Sequence, residues 1–144
     1  MKSLSLFGAL LFSASPAIAD DYIYMVCKIK GNNTSTNLAS GHVLNQVVGD
    51  YLMFEVDLSK SIFRNNRDPE WSPIRVIGNT IVQDTKISRE GFSAHIRGIL
   101  PLDPPGPMSI DNWFKSTTEY QVIKGEGECR KTDSSKWEKL AVNH

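Results

Sequence analysis

Residues 51–58 read Tyr-Leu-Met-Phe-Glu-Val-Asp-Leu. Leu52, Phe54, Val56 and Leu58 fall on one side of an extended chain, and Tyr51, Met53, Glu55 and Asp57 on the other, because successive side chains of a strand point to opposite faces. The same period of two runs through residues 22–30, where Ile23, Met25, Cys27 and Ile29 oppose Tyr22, Tyr24, Val26, Lys28 and Lys30. It returns at 92–100, where Phe92, Ala94, Ile96, Gly98 and Leu100 oppose Ser93, His95, Arg97 and Ile99. Each stretch predicts a strand with one buried and one solvated face.

Working outward, β-branched enrichment adds weaker strands at His42–Val48, Ile74–Ile77, Thr80–Ile87, Thr118–Lys124 and Gly127–Lys131. Gly49-Asp50, Gly78-Asn79 and Glu90-Gly91 stand where tight turns would join neighbours into hairpins. The expected fold is therefore all-β and mainly antiparallel: a seven- to eight-stranded meander forming a small barrel or sandwich. Three segments read as loops: the polar run 31–41, residues 64–73 with Trp71 near the end, and 101–107, where four of seven residues are prolines with fixed φ. After Cys129, Ser135 and Glu138 have capping-box spacing, and Trp137, Leu140 and Ala141 share one stripe, which predicts a short C-terminal helix.

The chain has 144 residues with 16 basic and 16 acidic side chains, which fits one globular domain and excludes a disordered tail, a collagen-like repeat and a basic nucleic-acid binder. Residues 1–19 carry Lys2, an apolar run from Leu4 to Phe12, Pro16, and the small-x-small motif Ala17-Ile18-Ala19. They read as a secretory signal peptide cut between Ala19 and Asp20, leaving 20–144 as a single exported domain. The run is too short for a membrane span, and no later stretch is apolar enough to be one. The expected location is periplasmic or secreted, with a bacterial host favoured by the compact alanine-rich cleavage motif. The mature chain keeps 15 basic and 16 acidic groups, net charge −1, so neither a polyanion nor an anionic membrane is implied as partner.

Cys27 and Cys129 are the only thiols, and an exported chain meets an oxidising compartment, so they are expected to bond to each other. In the chain-entropy model a closed loop of about 100 residues is worth about 4.7 kcal/mol, comparable with the net stability of a small domain. There is no C-x-x-C to argue for redox catalysis.

Catalytic and ligand signatures are missing: no G-x-S-x-G, H-E-x-x-H, S-x-x-K or glycine-rich phosphate loop, and no histidine pair with metal-ligand spacing. No cofactor, metal or catalytic residue is assigned. His42 and His95 read as solvated strand residues, and Glu55 and Asp57 as a solvated face. Among the aromatics, Tyr51 lies on an outward strand face while Trp71 and Trp113 lie in or beside loops, which makes the three a candidate binding surface.

An exported β domain with one cysteine in its first strand and one in its last resembles the small periplasmic inhibitors of lysozyme in architecture and cysteine placement. Their loop signature Ser-Gly-x-x-Tyr is absent, since Ser40-Gly41 is followed by His42-Val43-Leu44. No residue is carried over. The leading expectation is a non-catalytic binding module that contacts a protein, glycan or small ligand of the cell envelope through loops 31–41, 64–73 and 101–107. The alternatives are a small hydrolase with a dispersed site using His42 or His95, and an envelope assembly component whose edge strands pair with copies or partners.

Overall fold

The alternation of residues 22–30 opens a strand that continues well past Gly31. In the computed structural model, which describes residues 21–137, nine strands follow in order. They are β1 (Tyr22–Asn37), β2 (Val43–Asp57), β3 (Ile62–Asn65), β4 (Ser72–Pro73), β5 (Arg75–Ile77), β6 (Thr80–Arg89), β7 (Phe92–Pro101), β8 (Gly106–Ser116) and β9 (Glu119–Lys131). All belong to one antiparallel sheet ordered β4-β3-β2-β1-β9-β8-β7-β6-β5. The sheet curls into a nearly closed barrel, with nine strands instead of seven to eight and, among the described residues, no second sheet to make a sandwich.

The connectivity is that of a meander bent into a ring. Neighbours in the sheet are neighbours in the chain except for β1 and β9, which pair along most of their length. The opposite side of the ring is the seam between β4 and β5, and there only Ile74 separates the two strands. Ile74 is buried and its N–H donates to the Ser61 carbonyl at 3.0 Å, so the chain itself crosses the seam.

Directly opposed residues of an antiparallel pair share a face, and the register therefore assigns the interior. Ile23, Met25 and Cys27 oppose Val56, Phe54 and Leu52 of β2, and Cys27 opposes Cys129 of β9. These side chains, with Ile29, Phe63, Ile74, Ile81, Leu100 and Met108, form one cluster that fills the closed part of the barrel. The Cys27–Cys129 disulfide lies inside it, and both cysteines are fully buried.

Several sequence expectations are corrected. The polar run 31–41 is strand as far as Asn37, because its backbone is laddered on both sides, to β2 and to β9. No turn forms at Gly49-Asp50, which pair with Lys30 and Ile29 inside β2. Residues 119–124 and 127–131 belong to the single strand β9, which begins just after Thr118. At Gly127 an added Cβ would sit 2.1 Å from the Lys28 carbonyl oxygen, and at Gly31 2.1 Å from that of Lys124. These glycines mark a close approach of β1 and β9 rather than breaks in the chain. Strand β8 carries no legible alternation, because Trp113-Phe114 and the polar residues around them break the period of two. The proline-rich loop shrinks to 102–105 between β7 and β8. By contrast, Gly78 and Gly91 do turn the chain between β5 and β6 and between β6 and β7.

The outward face of β2 is also more covered than alternation implies. Met53, Glu55 and Asp57 are buried. The segment after β3 folds over this end of the strand, Asn66 exchanging hydrogen bonds with the Met53 backbone through its amide N–H and its Oδ1. A helical turn at 134–137 begins where the tail was expected to be helical, but its cap is Asp133, whose Oδ1 accepts the N–H groups of Ser135 at 3.0 Å and Lys136 at 3.4 Å. Glu138, Leu140 and Ala141, like the leader with Ala19 and Asp20, lie outside the described residues.

Candidate functional site

Beyond the filled core, β1 and β2 continue together through residues 31–50, an arm whose β1 strand stays laddered to β9 and whose β2 strand is the outer edge. Val43 to Gly49 of β2 are all exposed, including Val43, Leu44 and Val48, and Val47 retains 76% of its free surface. The sequence explains why. Val43-Leu44 and Val47-Val48 each place one apolar residue on either face of the strand, so no single face could bury them all.

One side of this segment is paired with β1, from Thr36↔Val43 to Gly31↔Val48. On the other side β3 reaches only as far as Phe54↔Asn65, the following segment covers Met53, and Arg67 contacts the Asp50 carboxylate. Among the described residues, no strand pairs with that side of 43–49. In an antiparallel strand both backbone groups of a residue point to the same neighbour, and alternate residues point to alternate neighbours. Met53 directs its N–H and carbonyl to Asn66, on the β3 side. By period two, Val43, Asn45, Val47 and Gly49 direct theirs to the open edge. Tyr51 shares that orientation, but its N–H is taken by the Asp50 carboxylate at 2.7 Å.

At the base of the arm, on the inward face, is an apolar pit of about 170 Å³ walled by Ile29, Val48, Leu52, Ile110 and Ile123, with Asp50 and Arg67 on its β2 side. That is below the size of ordinary small-molecule pockets, ~300–1,000 Å³, and suits one aliphatic side chain.

The three aromatic residues expected to form a surface are dispersed. Tyr51 is exposed on the outer face of β2, with Lys28 Nζ 5.9 Å from its ring centre. The cross-strand row through Trp113 passes Val122 and Thr34 and meets β2 at Asn45, six positions from Tyr51, or roughly 20 Å along the strand. Trp71 lies on the covering segment, its ring centre 4.5 Å from the guanidinium carbon of Arg64. That guanidinium also faces Trp137 at 5.1 Å and donates to Glu55 Oε2 from Nε at 3.1 Å and Nη2 at 2.9 Å. Trp71 thus contacts the clamp that closes the outer layer.

His42 and His95, the two histidines among the described residues, stand apart from each other. His95 is mostly covered, not solvated: its Nε2 lies 2.5 Å from Asp84 Oδ1, and its ring stands edge-on to Trp113, which leans on Tyr120. The hydrogen bond from His95 holds the Asp84 carboxyl below the usual carboxylate range. His42 is exposed ahead of β2, with β1, β9 and β8 between its strand and that of His95. Glu55 is committed to Arg64, and Asp57 accepts from Ser59 Oγ at 2.7 Å and the Lys60 N–H at 3.2 Å, so the carboxylates read as a solvated face serve as internal partners. Among the described residues no cluster of three or more His, Cys, Asp or Glu is arranged to hold a metal, and no helix is long and apolar enough to cross a membrane.

No protein-family model matches the chain, and no curated protein matches its sequence.

Proposed function

We propose that the protein is an exported, non-catalytic binding module that recognises an extended polypeptide by strand addition along Val43–Gly49. The observation that carries this reading is a strand edge whose backbone groups, among the described residues, are paired by no neighbouring strand and whose side chains are exposed and largely apolar. Strand addition uses these elements: main-chain hydrogen bonds supply affinity, and pockets for alternate side chains supply selectivity. Recognition is thereby placed on the β1–β2 arm, part of which the sequence reads as loop 31–41. The buried disulfide and the leader-like residues 1–19 support an oxidising, exported setting.

Selection of a random peptide library on the immobilised, disulfide-bonded protein tests the reading. Val47→Pro removes an edge-facing N–H while leaving the β1 ladder intact. Binders are expected to be extended β-forming peptides that fail on Val47→Pro although the variant unfolds at an unchanged temperature. Failure to select any binder, or binders indifferent to Val47→Pro, overturns it.

A further inference from the structure

The open edge of β2 matches itself. We infer that the segment it receives is the same edge of a second copy of this chain, so that two barrels join through their β2 strands about a two-fold axis. This rests on the strand-addition reading and names its partner.

Three observations select a second copy. First, two-fold antiparallel pairing brings like residues together near the axis, where charges would repel; Val43 to Gly49 contains no charged residue, and Asp50 at its end is already met by Arg67. Second, a native edge is ordinarily guarded by lysine, proline or a covering segment. The covering segment here stops at Arg67, and the open stretch has neither lysine nor proline. Third, the register closes. Centring the axis on Gln46 pairs Val43 with Gly49 and Asn45 with Val47 of the second copy, so every edge-facing residue from 43 to 49 gains its ladder bonds. The same register places Leu44 of the second copy opposite Val48, one wall of the apolar pit. Leucine has the chemistry the pit accepts, and the relation is reciprocal, as a two-fold interface requires. A contact of one short strand per copy falls at the small end of protein interfaces, under about 1,200 Å², so the dimer exchanges with monomer.

The test uses Gln46, which is exposed and faces its own symmetry mate in this register. Wild-type protein is expected to shift from monomer to dimer across a sedimentation series reaching millimolar concentration. Gln46→Lys alone and Gln46→Glu alone remain monomeric, and their equimolar mixture recovers the dimer. Gln46→Cys, oxidised at concentration, gives a covalent dimer. Wild-type sedimenting as monomer throughout overturns the inference. So does a dimer indifferent to both charge variants. If the wild-type is monomeric while selected peptides still require Val47, the second copy is wrong and strand addition survives. If selected peptides are also indifferent, both fail.

Discussion

Cys27 and Cys129 stand directly opposite each other on β1 and β9, the one pair of neighbouring strands that chain order does not make adjacent. Every other pairing closes a short loop, whereas this one gathers residues 102 apart in sequence. The covalent bond therefore falls where the ring is entropically hardest to close.

Replacing both cysteines by alanine should lower the unfolding free energy by about 4–5 kcal/mol, the chain-entropy value for a loop of this length. Urea unfolding of wild-type and the double variant measures it. A loss under about 1 kcal/mol would mean that the β1–β9 ladder holds the ring closed unaided.

How far the sequence disclosed this arrangement depended on burial. Stretches 22–30, 51–58 and 92–100 showed a period of two because one of their faces packs into the barrel core. Residues 43–49 showed none, since both faces of that edge are exposed, and residues 31–37 showed none, since their polar side chains are mostly half-buried on both faces between β2 and β9, so no solvent contrast writes a period into either. The apolar pairs Val43-Leu44 and Val47-Val48 were the readable sign of that arm: a strand with apolar residues on both faces must lie inside a protein or await something. The roles of Gly31 and Gly127 were not legible, because a lone glycine signals a turn and a close backbone approach equally well. The Arg64 clamp was illegible, since Trp71, Trp137 and Glu55 meet only through the three-dimensional path of the covering segment.

The two glycine roles separate experimentally. Gly31→Ala and Gly127→Ala place a methyl group against backbone oxygen and are expected to prevent folding, read as loss of a cooperative unfolding transition. Gly78→Ala meets no atom within 4 Å and has only its φ of 59° to contend with, so its cost should be about 1–2 kcal/mol with the transition intact. Equal, mild effects at all three positions would contradict the close approach of β1 to β9.

Arg64 joins the barrel wall to both tryptophans of the outer layer. Arg64→Ala leaves Glu55, which is 7% exposed, without its cation. Breaking a fully buried pair costs about 3–5 kcal/mol, and because the Arg64 side chain is 28% exposed a loss of about 2–3 kcal/mol is expected. Arg64→Lys should recover little of it, because an ammonium cannot stack its plane on Trp71 and Trp137. Tryptophan emission should shift to longer wavelength in both variants as Trp137 gains water. An unchanged emission with Arg64→Ala would show that the helical turn at 134–137 is held by something other than the clamp.

Asp57 links the acid and alkaline limits of stability. The Ser59 hydroxyl, ahead of the Lys60 N–H and the Tyr22 phenol, holds the Asp57 carboxyl below its ordinary value, and the same phenol is pushed above its ordinary value mainly by its hydrogen bond to Asp57. A lowered carboxyl contributes stability that is present above its unfolded value, about 3.9, and is lost as the pH falls through the lower folded value. A raised phenol contributes stability that is present below its unfolded value, about 10, and is lost as the pH climbs through the higher folded one. Asp57→Asn should therefore flatten both limbs of a plot of unfolding free energy against pH. Tyr22→Phe removes the phenol's alkaline contribution entirely but only part of the acid one, because the Ser59 and Lys60 hydrogen bonds remain. Urea titrations from pH 2 to pH 11 distinguish the cases, and an alkaline limb unaltered by Tyr22→Phe would dissociate Tyr22 from Asp57.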